Sequence, residues 1–283
     1  MARVICYCSL FQLFIISIAW GAEDQLPINS LKYELLKSYD FSNSVQMEDW
    51  EIEGPGSFAI SSSQMLLVSD YQQRLISLLK PEQIWQGNGT QETLFRETLL
   101  PLIAENNPEY LQNYIKGTPI RYGNIVLWNK LSLPSNYAIE YDFQSASPYP
   151  LHMLLFSAMG INEQSIFSTR LPKRNGIANQ YMNSDLSNYR ISYFSGKRAT
   201  INMRKSPGRH LIASIPELPS LIMGEKYKIK LIKFNQHIHF YINDALIIDY
   251  IDTNPLLGGH WGFRLMLFAK SYYDNIKIYS LKN

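Results

Sequence analysis

From Tyr137 to the C-terminus the chain repeats one pattern: a short apolar or aromatic run, then a polar or glycine turn. Tyr137, Ile139, Tyr141 and Phe143 alternate with Ala138, Glu140 and Asp142, and a period of two puts each set on its own face of a strand. Tyr227 to Ile232 leads through Asn235-Gln236 into His237 to Ile242, and Asn243-Asp244 turns into Ala245 to Tyr250. Leu151 to Met159, Trp261 to Phe268 and Tyr273 to Tyr279 read the same way, as do Trp50 to Ile52, Phe58 to Ile60 and Met65 to Val68 before them. Short strands at regular spacing predict an all-β fold, a jelly-roll β-sandwich of two antiparallel sheets. Composition agrees: 19 Tyr and 13 Phe against 15 Gly favour strands over a helical bundle. A hydrophobic content of 46% excludes a disordered chain.

One stretch breaks the rhythm. Tyr71 to Leu79, Thr93 to Ile103 and Pro108 to Lys116 have helical character, with Pro108 suited to a first helical position and Gly117 to a stop. Residues from about 70 to 117 are therefore expected to form a helical insertion in a single sandwich domain spanning 22–283. Asn88-Gly89-Thr90 within it is a glycosylation sequon, or simply a turn.

The N-terminus is expected to be a signal peptide over residues 1–21. Arg3 precedes an apolar run from Val4 to Trp20, and Ala19-Trp20-Gly21-Ala22 offers a small-residue cleavage site. An uncleaved anchor is the alternative, but the run is short and no basic stop-transfer cluster follows it. Only this run resembles a span, which excludes a polytopic membrane protein. Cys6 and Cys8 both lie inside it. The mature chain would then lack a disulfide, a thiolate zinc site and a cysteine nucleophile. The expected location is secreted or periplasmic, with no stable membrane insertion after cleavage.

Charge supplies the functional clue. Arg170, Lys173, Arg174, Arg190, Lys197, Arg198, Arg204, Lys205 and Arg209 face a single acid, Asp185, so this segment is about +8 in a chain of +2. A one-sided field favours an anionic partner, although a solvated face is the plain alternative. Asn188 to Phe194, Ser195-Gly196 and Lys197 to Lys205 read as a hairpin with a two-residue turn. That register gathers Tyr189, Ile191, Tyr193, Arg198, Thr200, Asn202 and Arg204 on one face. Arg190, Ser192, Phe194, Ala199, Ile201 and Met203 fall on the other, a core face apart from Arg190. A three-residue turn would instead set Arg190 beside Asn202. Tyr, Arg and Asn together suit a sugar acid, because rings cover sugar faces and Arg grips carboxylate or sulfate with two donors. Nucleic acid is not expected, since no OB or RRM signature is present and export removes the partner.

These residues carry a resemblance. Tyr39-Asp40-Phe41-Ser42 with Trp50, Val126-Leu127-Trp128-Asn129-Lys130, Ala138 to Phe143, the Tyr193 to Arg204 hairpin, Gly262-Phe263-Arg264 and Tyr273 to Tyr279 resemble the DUF1961 (YesU-like) family of bacterial concanavalin A-like jelly-roll proteins. The resemblance covers Tyr39 to Trp50 and Asn124 to the C-terminus, and the helical insertion departs from it. It implies a carbohydrate-related role without settling a reaction.

Three classes of function follow. A lyase or dehydratase acting on acidic oligosaccharides by β-elimination is the leading expectation. Tyr193 would be the base and His152 a second acid or base, with Tyr189, Arg198, Asn202, Arg204, Arg264 and Trp128 binding substrate. Tyr193, His152 and Arg264 are expected to converge on one face. A packed tyrosine and a buried histidine are the plain readings of the first two. A two-carboxylate hydrolase would use Glu140 and Asp142, which share a strand face, but Ser145 leaves the longer glucanase pattern incomplete. A non-catalytic lectin-like module would use the same Tyr and Arg surface without a base. None of these requires a cofactor. His237 and His239 share a face but lack a third ligand nearby. Asp274 lies where lectin-like sandwiches often hold a structural calcium, so a metal ligand is expected there by analogy.

Overall fold

The computed structural model describes residues 30–70, 101, 124–147, 151–194, 200–216, 221–266 and 269–283. The expected signal peptide and nearly all of the expected helical insertion lie outside the described residues, as does Arg198. The strands are β1 (Lys32–Tyr39), β2 (Trp50–Glu53), β3 (Gly56–Ser61), β4 (Gln64–Ser69), β5 (Ile125–Leu133), β6 (Tyr137–Ser145), β7 (Leu151–Gly160), β8 (Leu186–Phe194), β9 (Thr200–Ser206), β10 (His210–Pro216), β11 (Lys226–Phe234), β12 (His237–Ile242), β13 (Ala245–Ile251), β14 (Gly259–Leu265) and β15 (Lys270–Lys282). A short 3-10 helix (Ser44–Asp49) precedes β2, and a short α-helix, α1 (Asn179–Met182), precedes β8. No helix among the described residues is long and apolar enough to cross a membrane.

Antiparallel pairing builds two sheets from these strands. One runs β13-β12-β11-β6-β15-β4-β3, with β1 also on β15; the other runs β10-β9-β8-β7-β14-β5-β2. This is the jelly-roll sandwich that the strand rhythm predicts. The β11–β12 and β12–β13 hairpins turn where expected, with Asn235, Asn243 and Asp244 at positive φ. Asn and Asp tolerate that region better than other residues with a side chain. A register shift between Asp274 and Lys277 bends β15, so its first part pairs with β4 and its last part with β1.

The core lies between the sheets. Tyr137, Ile139, Tyr141 and Phe143 of β6 meet Leu154 and Phe156 of β7, Ile191 of β8, and Trp261, Phe263 and Leu265 of β14. Phe263 stacks on Tyr273 with centroids 3.8 Å apart and meets Tyr141 edge-on at 5.0 Å. A second apolar cluster lies on the outer face of the seven-stranded sheet. There Val126, Trp128, Met153 and Leu155 are covered by Ile166, Leu171 and Tyr181 from the segment 161–185. This strap leaves the sheet after β7 and returns at β8, and its ends are tied by Ile161 N–H donating to Asp185 O at 2.9 Å.

Candidate functional site

The hairpin register differs from the expected one and changes which residues are available. Ile191 pairs with Met203, Ser192 with Asn202, and Arg190 with Arg204. A two-residue Ser195-Gly196 turn would pair Ile191 with Thr200, so the register is shifted by three residues. Strand β8 ends at Phe194 and β9 begins at Thr200, with residues 195–199 between them outside the described set. An odd shift exchanges the partner strand's faces. Tyr189, Ile191 and Tyr193 share the inner face with Ile201 and Met203, while Arg190, Ser192, Asn202 and Arg204 share the outer one.

Tyr193 and His152 are therefore core residues, a correction to their expected catalytic roles. Both are fully buried. The Tyr193 hydroxyl lies 3.1 Å from that of Tyr141, across the sandwich. Burial raises the Tyr193 phenol well above its ordinary pKa, which is the wrong direction for a base. The His152 ring stacks against Tyr193 at 6.1 Å and meets Phe143 edge-on at 4.7 Å. Burial pushes its pKa down to about 3, so the ring is neutral. Arg264 pairs with Met153, whereas His152 pairs with Leu265, so Arg264 points to the face opposite His152 and Tyr193. The expected convergence of the three does not occur.

Two expected substrate contacts are also structural. Tyr189 is fully buried, and its hydroxyl donates to Asp252 at 2.5 Å. Lys205 Nζ reaches the same Asp252 oxygen at 2.7 Å, which neutralises one cation of the basic segment. Trp128 is buried, and its indole N–H donates to Glu53 at 3.0 Å, so its ring is no open platform for a sugar. Replacing Tyr193 by Phe is expected to cost about 1 kcal/mol of stability, the worth of one hydrogen bond, and to leave ligand affinity unchanged. Urea titration and calorimetric binding would check both.

Glu53, at the end of β2, holds the strap to the sheet. It accepts from Arg174 Nη2 at 2.6 Å and Nε at 3.2 Å, from the Tyr181 hydroxyl at 2.7 Å and from Trp128. Arg264 donates from Nη2 to the Gly176 carbonyl at 3.2 Å, and its guanidinium lies 5.0 Å above the Tyr181 ring. The backbones crowd here. A Cβ on Gly176 would lie 1.8 Å from Asn124 O, and one on Gly54 would lie 2.5 Å from it. Both glycines have positive φ, so a side chain is excluded twice over. The pattern of the sequence does not reveal Glu53, Arg174 as its partner, or Tyr181. The available signal is the turn chemistry of Gly54-Pro55-Gly56 and Asn175-Gly176.

Asn202, Arg204 and Ser192 form the open part of this outer face. One row of paired residues crosses the whole sheet: Ser214, Asn202, Ser192, Met153, Arg264, Val126 and Glu53. Ser214 Oγ donates to Asn202 Oδ1 at 2.7 Å. Alongside this row, Arg190 and Arg204 are cross-strand partners. Arg204 is half-buried, and its Nη1 donates to the Arg209 carbonyl at 3.0 Å. Arg190 is buried, and its Nη1 donates to Ser206 Oγ at 2.7 Å.

The carboxylates considered for hydrolysis lie elsewhere, on the outer face of the eight-stranded sheet. Glu140 is paired with Lys230 at 2.9 Å, and Asp142 accepts from Asn275 Nδ2 at 2.8 Å. Asp274 faces Asp142 across the strand pair, and its Oδ1 accepts the Asn275 N–H at 2.7 Å. Among the described residues no three His, Cys, Asp or Glu side chains gather to hold a metal ion. Asp142, Asp274 and Asn275 are the oxygen-bearing side chains that lie together at the position expected for a metal.

The family model described as Domain of unknown function (DUF1961) matches residues 100–278. YesU of Bacillus subtilis strain 168, an uncharacterized protein, is 32% identical over 169 residues, which cover 55% of this chain and 77% of YesU. The crystal structure of a protein of unknown function with a galectin-like fold from Bacillus subtilis aligns with a TM-score of 0.65 and 24% identity, over 88% of this chain and 99% of that one. The carbohydrate recognition domain of Emp47p aligns with a TM-score of 0.51 and 10% identity, over 88% of this chain and 97% of that one. At these identities the two structures show the fold alone, a concanavalin A-like jelly roll.

Proposed function

We propose, for a chain that belongs to the DUF1961 family, that it binds acidic oligosaccharides on the outer face of the seven-stranded sheet. One observation carries this reading. Ser192, Asn202, Arg204 and Ser214 lie together, at least partly open to solvent, and Arg190 is the cross-strand neighbour of Arg204. Hydroxyl and amide groups match sugar hydroxyls, and a guanidinium matches a carboxylate or sulfate. The galectin-like fold and the carbohydrate recognition domain among its structural neighbours support a glycan as the ligand class.

Binding is favoured over elimination because this group of residues holds no base. Ser192, Asn202, Arg204 and Ser214 offer no phenol, imidazole or carboxylate to take a proton from carbon, and the two residues expected to do so are in the core. Changing Arg204 to Ala is expected to weaken binding of uronate- or sulfate-bearing oligosaccharides roughly 10- to 150-fold, the value of a charge-assisted hydrogen bond. Neutral oligosaccharides should change far less. Equal losses for both, measured by titration calorimetry, would contradict acid recognition. Release of unsaturated products from a uronate would restore the elimination reading.

A further inference from the structure

We infer that this site takes the end of an acidic glycan chain rather than its interior. The inference rests on the binding reading above and adds the shape of the ligand. It comes from how exposure changes along the row of paired residues. Ser214 is exposed on the edge strand β10, and Asn202 and Ser192 are half-buried on β9 and β8. Met153 on β7 keeps 9% of its surface, Arg264 on β14 3% and Val126 on β5 none. Among the described residues the track therefore opens at one edge of the sheet and stops in its middle.

The strap makes the stop. Gly176 lies on Arg264 through its carbonyl, the Tyr181 ring lies beneath the same guanidinium, and Arg174 carries the strap across to Glu53 on the far edge strand. A second side is closed below Arg190. The Asn188 side-chain amide donates to the Tyr181 carbonyl at 2.8 Å, and Gly208 N–H donates to the Met182 carbonyl at 2.9 Å, which fixes α1 over β8 and the turn after β9. Adjacent strands lie about 4.8 Å apart, so the three gaps from β10 to β7 span about 14 Å, room for about three sugar rings. A longer chain entering across β10 meets the strap and must end there. Its remainder leaves over the open edge.

The test is a length series. A ladder of oligouronates and a matched ladder of sulfated oligosaccharides, each from dimer to long polymer, would be titrated against the whole chain. Calorimetry gives affinity, and sedimentation velocity gives the number of proteins per glycan. End recognition requires affinity in at least one ladder to rise to about the trimer and then level off. The number bound per chain must stay constant as the polymer lengthens. Binding whose stoichiometry grows with polymer length would overturn end recognition and leave the binding reading standing. No binding to any member of either ladder would overturn both.

Discussion

Changing Glu53 to Ala is expected to destabilise the protein by about 3–5 kcal/mol, the cost of leaving one partner of a buried ion pair alone. The Arg174 and Glu53 side chains are only 8% and 10% exposed. The change strands the Arg174 guanidinium together with two neutral donors, the Trp128 indole and the Tyr181 hydroxyl. Its first consequence should be local. Segment 161–185 should become sensitive to protease at denaturant concentrations where the sheets are still folded, because the strap loses its main anchor. The exposed pair Lys282–Glu34, at 2.8 Å, provides the contrast. Its loss should leave the unfolding midpoint where it was, because both side chains are more than half exposed and solvent screens the pair. Urea unfolding of the two variants, with limited proteolysis mapped by mass, would compare them directly. A Glu53→Ala protein as stable as its parent, with an intact strap, would show that this carboxylate does not hold it.

The second large effect concerns acid. His152 is buried and neutral, with its pKa pushed down to about 3 by burial, against 6.5 in its ordinary state. Among the described residues neither ring nitrogen has a hydrogen-bond partner. As pH falls below 6.5 the unfolded chain takes up a proton at this residue and the folded chain does not, so stability must fall. The slope from this single group approaches about 1.4 kcal/mol per pH unit and continues toward its folded-state pKa. Well above the ordinary value neither state is charged and the contribution is constant. His152→Leu removes the proton uptake. Between about pH 7 and pH 5 the parent should lose about 2 kcal/mol more than the variant. Equal losses in the two proteins would mean that the histidine is solvated in the folded state, and the case for its catalytic role would reopen.

The fold is legible because its signals are local and repeated. Alternation along Tyr137 to Phe143 marks the inner face of β6, and Asn235-Gln236 and Asn243-Asp244 mark two hairpins. Phe263 and Arg264 fall on opposite faces as expected, since alternation needs no knowledge of the partner strand. The site is misread where the partner matters. Register between β8 and β9 depends on the length of their connection, and an odd error exchanges the faces of one strand against the other. Arg190 is the warning, the single charge on a face otherwise suited to the core. Moving it outward beside Arg204 requires the register that the structure has. The strap is illegible for another reason. Glu53 and Arg174 are 121 positions apart, and no periodicity links a carboxylate at the end of one strand to an arginine in a distant loop. Trp128 illustrates the consequence, an aromatic on the outer face of its sheet that the strap covers.

The most direct test of the binding surface is an amide NMR titration with a uronate trisaccharide. The account predicts the largest shifts at Ser192, Asn202, Arg204 and Ser214, with little change at Tyr193 and His152. Shifts centred on Glu140, Lys230 and Tyr241 would put the ligand on the outer face of the eight-stranded sheet and contradict it.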